Sequence, residues 1–280
     1  MNQKEYPPEV QSFLEHLRAM ERSESTIEKY RRDIQLFYQH LPQGGQITRE
    51  ATAAFKSALC AHRAAATVNS MLVALNGYLT YIGRPDCRVK LLRRQRRLFR
   101  EQSRELTRGE YERLLAAAAH AGRERLGLLL QAICATGVRV GEVKYLTVEA
   151  ARAGKAEIAL KGKVRTILLP GKLSRKLLRY AAGQKIASGE IFLTRGGRSL
   201  SRKLIWAEMK RLCSRAGVEP SKVFPHNLRH LFARCFYQSC RDIVRLADVL
   251  GHSSVETTRI YLVSTGAEHE RTLDRLRLIS

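Results

Sequence analysis

Six side chains in the sequence have types and an order that suit chemistry on an anionic ester. They are Arg139 in Thr-Gly-Val-Arg-Val-Gly-Glu, Lys161 in Leu-Lys-Gly-Lys, His226 and Arg229 in His-Asn-Leu-Arg-His, His252 in Leu-Gly-His, and Tyr261 nine residues later. A phosphodiester is already anionic, and it gathers more charge on its equatorial oxygens as a nucleophile attacks. Arg139 and Arg229 can clamp that charge with bidentate donors that keep their protons near neutral pH. His252 can add a third donor to a nonbridging oxygen, and the phenol of Tyr261 can attack. A phosphotyrosine keeps the energy of the broken bond for rejoining, so neither ATP nor any other cofactor is expected.

Taken singly, each residue has a plainer reading. Arg139 and Arg229 could be surface charges, Lys161 an ordinary turn lysine, Tyr261 a half-buried core tyrosine and His252 a helix-start histidine. Their joint order is what sets them apart. Two other chemistries compete. His226 and His230 have the four-residue spacing of a helical zinc pair, but Asn227 stands where a zinc hydrolase carries its general-base Glu, so no metal is expected. A helix-turn-helix regulator could use residues 254–261 for recognition, but binding alone leaves the nucleophile and the spaced cations unexplained.

The whole chain must supply a setting for such a site. Its 280 residues, 44% of them hydrophobic, are enough for two packed domains of ordinary size. Fifty Lys and Arg against 26 Asp and Glu give a formal charge of +24, which favours a polyanionic partner, with nucleic acid ahead of an anionic membrane surface. The six cysteines form no Cys-x-x-Cys pair and read as reduced thiols of a cytosolic protein. No stretch approaches the length of a membrane span, and the first ten residues lack the apolar core of an export signal, so a cytoplasmic protein is expected.

Residues 8–83 read as four helices. Phe13, Leu14 and Leu17 share one face. Ser25 and Glu28 have capping-box spacing ahead of Ile27, Tyr30, Ile34, Phe37 and Leu41. Segments near 49–62 and 67–81 carry Phe55, Leu59, Leu72, Leu75 and Leu79 at similar intervals. Between 84 and 104 nine basic residues stand against Asp86 and Glu101, and the apolar periodicity fades. This reads as a basic strap whose Arg88, Lys90, Arg93, Arg94, Arg96 and Arg97 would track phosphates. Thr107 and Glu110 then suggest a capped helix start. Residues 157–169 look like a β-hairpin with its turn at Lys161, Gly162 and Lys163. Short extended pieces are expected near 146–149 and 191–194.

The order and spacing of Arg139, Lys161, His226, Arg229, His252 and Tyr261 resemble the tyrosine recombinase and phage integrase family, over the whole second domain from about Leu106 to Tyr261. The resemblance implies a mostly α fold with a small β-sheet. A helical core-binding (SAM-like) domain would span residues 1–84, a basic linker 85–104 and a mixed catalytic domain with a C-terminal tail 105–280, the whole forming a C-shaped clamp on duplex DNA. It implies a simple two-domain member that cuts and rejoins strands through a 3′-phosphotyrosine and a Holliday junction. Four protomers would work on two synapsed double-stranded sites, on nucleoid DNA. It assigns the general acid to a lysine of the hairpin tip, where Lys161 and Lys163 both stand and motif alignment favours Lys161. It gives His226 a proton-accepting or positioning role, and Glu142 the task of orienting its catalytic neighbours. The final segment, with Leu273, Leu276, Leu278 and Ile279, would dock on a neighbouring protomer. The alternatives are a type IB topoisomerase and a catalytically idle DNA-binding protein.

Overall fold

The structure is a computed structural model of the chain that describes residues 7–42, 45–93, 102–160, 163–252, 254–259 and 261. Lys161, Arg94, Arg96, Arg97 and the tail beyond Tyr261 lie outside the described residues, as does the side chain of Lys163. The chain forms two compact units, Met1–Arg96 and Arg97–Ser280.

The first unit is four helices, α1 (Pro8–Ala19), α2 (Glu24–His40), α3 (Arg49–His62) and α4 (Ala65–Tyr81). Each turns the apolar stripe expected of it inward: Phe13, Leu14 and Leu17 from α1, Ile34 and Phe37 from α2, Phe55 and Leu59 from α3. Leu72, Leu75 and Leu79 of α4 have no exposed surface, and each stabilises the unit by about 1.5–3 kcal/mol through burial alone. The expected capping box at Ser25 does not form. Helix α2 starts earlier, with Ser23 at its cap and the Ser23 hydroxyl 2.8 Å from that of Thr26, while Glu28 pairs with Arg31.

The described part of the basic strap lies along α4. The Asn76 carboxamide accepts from the Val89 amide at 3.0 Å and donates to the Val89 carbonyl at 2.9 Å. Asn69, one heptad earlier, does the same to Leu92 at 2.8 and 2.9 Å. Two side-chain amides thus stand in for a neighbouring strand and satisfy backbone that has no sheet partner. The strap turns Val89 and Leu92 toward the unit and leaves Arg88, Lys90 and Arg93 exposed.

The second unit opens on α5 (Arg108–His120), where Thr107 and Glu110 form the expected capping box. Helix α6 (Glu124–Thr136) ends on left-handed Gly137, and a 3-10 turn, Val140–Tyr145, follows. The strand expected near 146–149 is absent. Thr147 instead caps a short helix, α7 (Val148–Ala153), and makes only an isolated bridge to Glu190, because its hydroxyl accepts the Ala150 amide and starts a helical turn. The second extended piece is reduced to a bridge between Leu193 and Ser199.

The hairpin forms from β1 (Lys155–Leu160) and β2 (Lys163–Leu168), antiparallel, with Ile158 opposite Arg165 and Leu160 opposite Lys163. Opposed residues share a face, so Arg165 points inward with the buried Ile158 and Ile167, while Val164 and Leu168 face out. There follow α8 (Gly171–Gly183), α9 (Arg202–Ala216), α10 (Pro225–Cys240), α11 (Ile243–Leu250) and α12 (Val255–Arg259). Helix α10 packs on α6 and also holds the entry to the unit: Asn227 donates to the Arg104 carbonyl at 2.9 Å, and Arg234 pairs with Glu105.

Candidate active site

The second unit brings Arg139, His226, Arg229, His252 and Tyr261 into one cluster. Arg229 sits on α10 and is 2% exposed. Its guanidinium donates to the Gly137 carbonyl, to the Leu250 carbonyl at 2.8 Å and to His252 Nε2 at 2.9 Å. The two carbonyls lie at the C-terminal ends of α6 and α11, where helices present unpaired acceptors and partial negative charge. Two helix ends therefore aim at one buried cation and fix it.

Arg139 stands where the chain leaves α6 and enters the 3-10 turn. One arm donates to Glu142 at 2.9 Å and the other to the Gly251 carbonyl at 3.2 Å, and the side chain stays partly open to solvent. Glu142, nearly buried, also accepts the Arg139 backbone amide at 2.9 Å. A residue absent from the sequence-based set shares that carboxylate: Arg165 of β2 donates to both Glu142 oxygens at 2.9 and 3.2 Å, and to the Val249 carbonyl at 3.2 Å. Its one sequence signal is an arginine at an inward position of an alternating strand.

Arg139 and Arg165 thus meet one carboxylate with the buried Arg229 beside them, an excess of two positive charges at one site. The cluster is built for an anion. Burial pushes the Arg165 pKa down to about 10, with repulsion from Arg229 and Arg139 adding to the shift, so it stays charged near neutrality.

Tyr261 lies inside this cluster, 3% exposed. Its ring stacks on His252 with centroids 5.7 Å apart at 11° and meets His230 edge-on at 4.4 Å, with His226 at 6.1 Å. Tyr261 also interacts electrostatically with Arg229, favouring the charged guanidinium. Tyr261 and the arginines of one chain therefore assemble together. His226 and His230 touch at 4.6 Å, and among the described residues no group of three His, Cys, Asp or Glu could hold a metal ion.

Hydrogen bonding assigns the state of His252. A guanidinium only donates, so Nε2 accepts from Arg229, and the ring proton sits on Nδ1, facing the buried Thr258 hydroxyl at 2.8 Å. Burial, followed by Arg229 and Arg139, pushes the His252 pKa down to about 4, and burial lowers that of His226 as well. Unfolded histidine takes up a proton near its ordinary 6.5, before the folded ring does. Stability is therefore complete above about pH 6.5 and falls as the pH drops toward 4. Urea titrations between those values should show the midpoint declining, with a shallower decline in His252→Gln.

Two glycines permit the close approaches. Gly137 (φ 64°) and Gly251 (φ 62°) are left-handed, and a Cβ on Gly251 would fall 2.3 Å from Arg165 Cδ. Gly251→Ala should lose about 1–3 kcal/mol in urea unfolding, the range for a strained backbone position, and displace the carbonyl that holds Arg139.

With the geometry in place, comparison with known proteins is direct. Residues 104–268 match the family described as "Phage integrase family", and residues 10–84 match "Phage integrase, N-terminal SAM-like domain". Tyrosine recombinase XerC of Roseiflexus castenholzii is 30% identical over 291 residues, covering 94% of this chain and 90% of that protein. Tyrosine recombinase XerA of Pyrococcus furiosus is 28% identical, covering 96% and 94%. Among solved structures, a lambda integrase tetramer bound to a Holliday junction aligns with a TM-score of 0.71 at 18% identity, covering 91% of this chain and 76% of that one.

Proposed function

Because this chain belongs to the phage integrase family, we propose that it is a site-specific recombinase in which Tyr261 attacks a phosphodiester of duplex DNA. The observation that carries the reading is the buried Tyr261 ring stacked on His252, itself hydrogen-bonded to Arg229, within a cluster holding two positive charges more than its described carboxylate balances. The phenolic oxygen forms a bond to phosphorus as the bond to the 5′ oxygen breaks. The phenol's proton passes toward His226, and the departing 5′ oxygen takes one from Lys161, assigned by its motif. Arg139 and Arg229 hold the equatorial oxygens.

His252 joins them after one change. As the phosphate draws the Arg229 N–H to itself, Nε2 is released, takes up a proton from solvent as the phosphate's negative charge favours the imidazolium, and donates to a nonbridging oxygen. Attack of a 5′ hydroxyl on the phosphotyrosine reverses the step and seals a new partner strand. No metal or nucleotide enters the balance. Four protomers on two synapsed sites would exchange strands in pairs through a Holliday junction, as the lambda integrase tetramer suggests. We place the protein on nucleoid DNA in the cytoplasm, and its working divisions at 1–84, 85–104 and 105–280.

A topoisomerase would relax plasmid without a partner site, so sequencing the DNA joints made in cells expressing the protein separates the two. Recombination yields novel junctions between paired sites. Relaxed plasmid with no new junction would overturn the proposal. The strap supplies a second check. Each phosphate contact adds about 0.9 to the slope of log affinity against log salt. Replacing exposed Arg88, Lys90 and Arg93 by Gln should flatten that slope by up to about 2.7 if all three meet phosphates.

A further inference from the structure

Arg165 is buried deeper than Arg139, and its position is determined from three sides. Its side chain is 11% exposed against 42% for Arg139. One terminal nitrogen spans both oxygens of Glu142, while the other reaches the Val249 carbonyl, two residues before Gly251. The glycine at 251 leaves the Arg165 stem its only path, since a methyl group there would overlap Cδ, Nε and Cγ. The Nε itself is buried without a hydrogen-bond partner. A buried cation that gives up solvent and leaves a donor unpaired is an expensive way to hold a hairpin shut, because Ile158 and Ile167 already seal the same face.

We propose that Arg165 is a positioning residue of the recombination site. It fixes the Glu142 carboxylate that aims Arg139 and, through Val249, the turn that presents Gly251 and His252. The inference rests on the reaction assigned above. Glu142 has two oxygens and two arginines. Held by Arg165, it keeps Arg139 between itself and the Gly251 carbonyl, with the guanidinium facing the cluster. Without Arg165, Glu142 would be a nearly buried carboxylate with one partner, free to pull Arg139 over itself and away from a phosphate. Arg165 also repels Arg139 and Arg229 electrostatically, a repulsion that a bound anion would relieve. A lysine at 165 carries the charge but cannot span Glu142 and Val249 with a planar fork.

The test uses the full chain and nicked target duplexes in two forms, with an ordinary scissile phosphate or with a neutral methylphosphonate at the same position. The methylphosphonate lacks the charge that the arginine clamp must hold. Arg165→Ala should slow single-turnover adduct formation on the phosphate about 10- to 100-fold, as loss of an orienting partner does elsewhere. DNA affinity should stay unchanged, and Arg165→Lys should fall in between. On the methylphosphonate the gap between Arg165→Ala and the unaltered protein should shrink several-fold. Arg165→Ala and Glu142→Gln should be less than additive.

A merely structural arginine would slow both substrates alike, and that result overturns the proposal. So does an Arg165→Ala rate on phosphate equal to that of the unaltered protein. If the unaltered protein forms no adduct at all, the reaction assignment fails and this inference with it. An adduct that forms normally yet ignores Arg165 removes the inference alone.

Discussion

Tyr261→Phe is expected to abolish the covalent protein–DNA adduct and leave DNA binding intact. The substitution removes one oxygen. The ring keeps its stacking on His252 and its edge contact with His230, so α12 and the Gly251 turn have no cause to rearrange. What disappears is the oxygen proposed to bond to phosphorus, together with its electrostatic interaction with Arg229. A nicked duplex makes the assay decisive, because the fragment beyond the cut diffuses away and traps the joined state. The adduct survives denaturing electrophoresis and should be absent from Tyr261→Phe, while mobility shifts on native gels should match. An adduct that persists in the variant would assign the nucleophile elsewhere. The loss should exceed any arginine effect, since a clamp only lowers a barrier that the nucleophile must exist to cross.

What could be seen in the sequence follows from how each feature is encoded. The motif residues are legible because their order and spacing resemble those of the phage integrase family, and the hairpin because β-branched residues flank a glycine turn. The helical stripes of residues 8–83 are legible because burial repeats at a helical period. Arg165 is not. Its importance comes from Glu142, 23 positions away, and from the Val249 carbonyl, 84 positions away, and no local pattern records either.

The acceptors on Arg229 are invisible for a related reason: they are backbone carbonyls that exist only once two helices have ended on left-handed glycines. The Asn69 and Asn76 clips look like ordinary polar residues on a helix until the strap lies beside them. Thr147 shows the opposite failure. Its neighbours Leu146 and Val148 suit a strand, but the cap it makes for α7 outcompetes extension.

Arg139 and Arg229, the two arginines of the proposed clamp, should part company when each is changed to lysine. Both changes should cut the rate of adduct formation by about 10²–10³, the loss seen when one preorganised donor to a developing oxyanion is removed. Their stabilities should differ. Arg139 is partly open to solvent, and a lysine there can leave the Gly251 carbonyl to water. Arg229 is closed in on all sides, and a shorter ammonium cannot reach the Gly137 carbonyl, the Leu250 carbonyl and His252 at once. Each buried acceptor left unpaired costs about 1–3 kcal/mol. Arg229→Lys should therefore unfold at clearly lower urea concentration, and Arg139→Lys near that of the unaltered chain. The same geometry sets a condition on the reaction. In the DNA-free chain the Arg229 guanidinium is held by two carbonyls and an imidazole, so a phosphate is expected to reach it by taking the place of one of them. The imidazole is the one that can yield, and in the proposed reaction it is the one that must move for proton donation. Equal unfolding midpoints for the two lysine variants would show that Arg229 does not hold those helix ends together.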